Sequence, residues 1–245
     1  MDEDRGLQPS GADGEDSGRK PEGGLLPSLI DIFIDPQKVF ERIDAGLEWW
    51  KAYIAVSVVT VVIAYLNMPV QKQLMLVSER MSGEQAQAAV EQMERFGFIG
   101  LIAAPAGVLL IWLILAALVN VTVNLVSGKS EYKKVLSLIG FTSLIGVLEQ
   151  IIQLVVIRLK GIESIESVSD TRIPLGLAAL FPGSEGAARA LMDSLSVFQI
   201  WYLIVFTLGV SAIFRISRAK AAVPAALMWL IGFAFLWLGG SFGGR

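Results

Sequence analysis

The sequence predicts an all-α fold: a polytopic helical membrane bundle of about five transmembrane helices, with an amphipathic interfacial helix before the first span. Three observations predict it. The 245 residues are 54% hydrophobic and 18% charged, with a mean hydropathy of +0.61, too apolar for a water-soluble domain of this size. Their apolar residues gather in runs of roughly 20, the length at which a helix crosses about 30 Å of hydrocarbon. Between the runs lie polar connections, two of them short and basic, as in the loops of multi-span proteins.

There is no Cys and no His. Disulfides, thiolate or imidazole metal sites and histidine or cysteine catalysis are therefore excluded, and no cofactor is implied. A net charge of −3 with no clustered basic face argues against nucleic acid as a partner. The bilayer is the partner the composition demands.

Residues 1–26 hold seven acidic side chains among Gly, Ser and Pro and have little to bury, which predicts a disordered acidic tail rather than a cleaved signal. Residues 27–50 form the interfacial amphipathic segment. It is broken at Pro36, with Asp35 as the N-cap of its second half, where Val39, Phe40 and Ile43 make one apolar stripe beside Lys38 and Arg42. Trp49, Trp50 and Tyr53 mark the headgroup level.

The five-span membrane domain covers 51–239, with spans at about 52–68, 98–125, 135–157, 197–216 and 221–238 and a flexible end at 240–245. The first span closes at Asn67–Pro69. Residues 70–97 are polar, and Ser82 to Gln85 has the pattern of a capping box, so a water-exposed helix is expected to run to about Phe96 as a hairpin cap. In the long linker 158–196, the stretches 173–180 and 187–195 are weakly amphipathic.

Lys129, Lys133 and Lys134 crowd the second loop, and Arg215, Arg218 and Lys220 the fourth. With the N-terminal segment these hold 12 of the 20 basic residues, which places the N-terminus in the cytoplasm and the C-terminus on the opposite side of the membrane. The same six residues form a candidate cytoplasmic contact surface.

The sharpest feature inside the apolar runs is Glu149, past the middle of the third span, where an unpaired ionisable group costs a few kcal/mol or more, roughly. Thr142, Gly146, Glu149 and Gln153 share one helix face, with Gln150 beside it, and Asn120 and Asn124 of the second span are further candidate partners. This intramembrane polar group reads either as a proton, ion or substrate site or as hydrogen bonding between helices. Gly140, Gly146 and the 103–107 stretch of Ala, Pro and Gly read as close-packing positions. Gly128-Lys-Ser130 lacks the upstream glycine and strand of a phosphate loop, and no serine elbow or metal cluster occurs, so catalytic residues are not expected.

Leu29-Ile-Asp-Ile-Phe-Ile-Asp-Pro-Gln-Lys-Val-Phe40, Gly128-Lys-Ser-Glu-Tyr-Lys-Lys-Val135, Ser196-Val-Phe-Gln-Ile-Trp-Tyr-Leu203 and Leu208-Gly-Val-Ser211 occur in an order and spacing that resembles the Yip family of Ypt-interacting multi-span membrane proteins, particularly its bacterial branch, over roughly residues 28–238. The resemblance implies five spans, a cytoplasmic N-terminus, a C-terminus on the far side and, for a bacterial-type member, the inner membrane; it carries over no catalytic residues. Eukaryotic members bind Rab-type GTPases through Asp-Leu-Tyr-Gly-Pro-like and Gly-Tyr-Gly-Tyr-like motifs. Neither is present here, so a Rab-type partner is not expected.

The expected function is a non-enzymatic, membrane-organising or partner-binding scaffold, with a membrane protein or a second copy as partner. The alternative is a small ion- or proton-linked transporter or channel subunit using Glu149. An odd span count leaves an inverted repeat incomplete in one chain, which disfavours that alternative.

Overall fold

The computed structural model of the protein describes residues 24–77, 83–166 and 194–243, with isolated positions 170, 176, 181, 191 and 192 between the last two stretches and side chains as far as Ala234. Most of the acidic tail, Ser82 of the capping box and most of the amphipathic stretches of the long linker lie outside the described residues.

The described helices are α1 (Leu25–Ile34), α2 (Pro36–Asp44), α3 (Trp49–Leu76), α4 (Gly83–Ser127), α5 (Tyr132–Lys160), α6 (Val197–Phe214) and α7 (Arg218–Gly243). Helices α3, α4, α5 and α6 are long and apolar enough to cross a membrane, and α7 is 26 residues long. A short 3-10 turn at Ile162–Ser164 and one antiparallel bridge between Gly176 and Ser196 are also formed.

Helix α5 is the centre of the bundle, packed by α1, α2, α3, α4 and α6. Its first half, Val135 to Ile145, is buried almost throughout. A helix apolar on every side, as this half is, has to be covered on every side. Helix α7 closes the bundle against α6 and α4 through Ala221, Ala225 and Met228.

The spans run longer than the hydropathy boundaries suggest. Helix α3 continues through Pro69 to Leu76. Proline removes one backbone donor and crowds the preceding turn, and the Arg158 guanidinium of α5 donates to the Leu66 carbonyl in that turn. Helix α4 joins the expected hairpin cap and the second span into one 45-residue rod, about 67 Å long against about 30 Å of hydrocarbon, so its polar first turns project beyond the apolar layer. The break expected near Gly97 does not occur. A Cβ there would stand 2.7 Å from Met68 Cε, so this glycine serves the α3 and α4 contact rather than a helix end. At the C-terminus, the flexible end expected from residue 240 is helical to Gly243.

The break at Pro36 is where expected, and Pro36 is the first residue of α2. Asp35 occupies the N-cap position but makes no cap hydrogen bond; its carboxylate pairs with Lys38 at 3.1 Å. Val39, Phe40 and Ile43 are fully buried in the same core as α5 and α6. The α1–α2 hairpin is therefore a packed part of the bundle.

Candidate functional site

One end of the bundle gathers the N-terminal hairpin and the two short basic loops. Asp44, the last residue of α2, accepts from Lys134 Nζ at 2.8 Å and lies 3.8 Å from Arg215 Nη2. Lys134 also pairs with Glu131 at 3.0 Å. The hairpin, the α4–α5 loop and the α6–α7 loop thus meet at one carboxylate. Ser137 Oγ fastens the same corner by donating to the Leu47 carbonyl at 2.9 Å.

Of the six basic residues singled out in the sequence, Lys134 is committed to these pairs, while Lys129, Lys133, Arg215, Arg218 and Lys220 are exposed around it. Arg215 has φ 53, a left-handed conformation for a non-glycine residue, at the C-cap of α6. Ser211 closes the turn, its Oγ donating to the Ile216 carbonyl at 2.7 Å.

About one helical turn and a half inward, three elements cross. A Cβ on Gly209 of α6 would collide with Leu138 Cδ1 of α5 and stand 2.9 Å from Phe40 Cε1 of α2. The absent side chain is what lets α2 lie in the α5–α6 seam. A similar approach occurs at Gly140, where a Cβ would stand 2.9 Å from Trp112 and 3.0 Å from Ala52, whereas nothing lies within 4 Å of Gly107 or Gly146. Tyr53 braces α3 on α4, donating to the Pro105 carbonyl at 3.1 Å and lying edge-on to Trp112.

The polar residues of the spans do not converge. Asn120 Oδ1 accepts from Ser130 at 2.7 Å, two residues before α5 begins, and Asn124 is exposed one turn further on. Glu149 is 17 residues beyond Tyr132, about 26 Å along α5. Asn120 and Asn124 therefore belong to the charged end and not to Glu149. Glu149 and Gln153 are half-buried, Gln150 is exposed, and none of the three makes a side-chain hydrogen bond or ion pair among the described residues. Thr142, on the same face, is fully buried and donates to the carbonyls of Leu138 and Ile139 in its own helix.

Asp44, Gly209 and the Asp31–Arg42 pair of the hairpin escaped the sequence reading. Only the order of the quoted segments hinted at them, since Phe40, Leu138 and Gly209 fall in or beside three of the four segments that carry the resemblance. Among the described residues no three carboxylates gather as a metal site would need. This geometry places paired and exposed charge at the end of the bundle that holds Asp44, and further ion pairs, Lys72–Glu94 and Arg95–Glu91, lie towards the other end.

Long apolar helices around a central α5, with most of their charge towards their ends and Glu149 as the exception within α5, define a polytopic helical integral membrane protein. The Yip1 domain family matches residues 30–239, which is most of the chain, and the protein belongs to that family. It is similar to the membrane protein YknW of Bacillus subtilis (strain 168), at 26% identity over 208 residues, covering 83% of this chain and 85% of that one. No solved structure matches it.

Proposed function

We propose that the chain is a non-enzymatic scaffold that organises the membrane or holds a partner through the charged end of its bundle. The observation that carries this reading is the junction at Asp44, which fixes the hairpin and two loops as one end while Lys129, Lys133, Arg218 and Lys220 stay exposed. In this reading five spans cross a bacterial inner membrane, with the N-terminus and the charged end in the cytoplasm, because short basic loops are retained there, and with the C-terminus on the far side. The partner is another membrane protein or a second copy, not a Rab-type GTPase and not nucleic acid.

The test is crosslinking in native membranes followed by mass spectrometry of what co-purifies. Defined partners that are retained by Glu149→Gln and lost on charge reversal at Lys129 and Lys133 support the scaffold. Partners indifferent to that reversal remove the charged end from the account.

A second reading is favoured by one feature, the lack of a side-chain partner for Glu149 among the described residues in the middle of a candidate span: an ion- or proton-linked transport role. Its test is reconstitution. A pH-dependent flux abolished by Glu149→Gln, in a chain of unchanged stability, would establish it in place of the scaffold.

A further inference from the structure

The lipid-facing side of the N-terminal hairpin follows from where its charges go. Helix α1 contains one charged residue, Asp31, and its carboxylate lies 2.6 Å from Arg42 Nη1 of α2. The same nitrogen donates to Ser28 Oγ at 3.1 Å, and the Arg42 side chain is only 8% exposed. Arg42, which the sequence pattern puts on the polar side of α2, instead reaches under α1 and neutralises it from beneath.

What remains on the outer side of α1 carries no charge. Leu26, Ile30 and Ile34 are 73%, 59% and 78% exposed, and their spacing of four sets them in one line along the helix. The outer side of α2 is the reverse: Gln37, Lys38 and Glu41 are exposed and polar. The hairpin thus has one apolar flank and one wet flank.

Its position decides what meets the apolar flank. Asp44 lies by Arg215, Phe40 against Gly209, and the Phe33 ring 5.9 Å from that of Trp201, so the hairpin packs on the side of α6 and not only at its end. It therefore lies along the flank of the spans, and α3 starts five residues after α2 with Trp49, Trp50 and Tyr53 in its first turns. Around the same end, the exposed Lys129, Lys133, Arg218 and Lys220 complement anionic headgroups.

We propose that the outer face of α1 is embedded in one leaflet of the bilayer, with Leu26, Ile30 and Ile34 against acyl chains, while Gln37, Lys38 and Glu41 hold the outer flank of α2 at the water and headgroup boundary. The Arg42 ion pair makes this insertion possible, because an unpaired Asp31 would oppose it. The lipid contact moves from α2 to α1, since α5 and α6 already cover Val39, Phe40 and Ile43. The inference needs only a membrane protein and is independent of the scaffold reading.

The absence of cysteine makes the test direct. Single-cysteine variants Leu26→Cys, Ile30→Cys, Ile34→Cys, Gln37→Cys and Glu41→Cys, all at exposed positions, each take one nitroxide in the full chain reconstituted into vesicles of phosphatidylcholine and phosphatidylglycerol. The expected result is an oxygen-to-nickel-chelate collision ratio several-fold higher at 26, 30 and 34 than at 37 and 41. In an Arg42→Gln background the ratio at 30 falls, and it recovers when Asp31→Asn is added, which separates the charge effect from general unfolding. Nickel-favoured collisions along the α1 line overturn the proposal. So does spin–spin broadening at these positions that fades on dilution with unlabelled protein, because a second copy then covers the stripe.

Discussion

Asp44 Oδ1 of α2 accepts a 2.8 Å hydrogen bond from Lys134 Nζ at the start of α5, across 90 residues of sequence. This contact and the neighbouring Arg215 are what tie the N-terminal hairpin to both basic loops. The pair is partly exposed, so its contribution is about 1 kcal/mol and screened by salt. Asp44→Asn and Lys134→Met are each expected to lower the unfolding temperature in detergent, with a double mutant less destabilised than the sum of the two. Strict additivity would show that the pair is not coupled.

Gly209 tests the seam beneath. Gly209→Leu is expected to push α2 out of the α5–α6 groove and destabilise by about 1–3 kcal/mol, the usual range for overpacking. Gly209→Ala should be milder, because the atoms it meets are the ends of the Leu138 and Phe40 side chains. Hydrogen exchange over α1 and α2 reads the difference: faster exchange confined to the hairpin is the expected pattern, and an unchanged hairpin with a loosened α7 would contradict it.

Removing one member of the Asp31–Arg42 pair leaves a largely buried charge without its partner. Arg42→Met is expected to cost about 3 kcal/mol or more, whereas Asp31→Leu combined with Arg42→Met should recover most of it. Equilibrium unfolding of the four chains in one detergent checks the cycle. A double variant as unstable as Arg42→Met alone would place the damage in packing rather than in charge.

Glu149→Gln keeps the size and hydrogen-bonding capacity of the side chain while removing its titration. Since Glu149 has no side-chain partner among the described residues, the expected change in thermal stability at neutral pH is small and not destabilising. A marked loss of stability would mean that the carboxylate is held by a contact this geometry lacks.

The helical segments were legible because membrane burial writes itself locally: a run of about 20 apolar residues and a basic connection are visible without knowing any neighbour. The ends were less so. Pro69 and Gly97 carry the usual marks of helix termination, yet both lie inside helices, since Arg158 meets the turn before one and Met68 packs against the other. The polar group around Glu149 was legible only as far as one helix face. Asn120 and Asn124 share its residue type but not its depth, and periodicity within a helix says nothing of register between helices.

By itself, then, the sequence determined a multi-span helical membrane protein with basic connections between its apolar runs and one acidic residue, Glu149, within them, because hydropathy, proline and charge placement are properties of single segments. Only the tertiary structure decided that Asp44 joins three of those segments, that Asn120 and Glu149 lie far apart, and that α5 and α6 cover the stripe on α2 while α1 keeps one exposed. The physical reason is that burial of a given face depends on which distant segment packs on it. That pairing rests on side-chain shape at crossings such as Phe40, Leu138 and Gly209, separated by up to 169 positions in the chain.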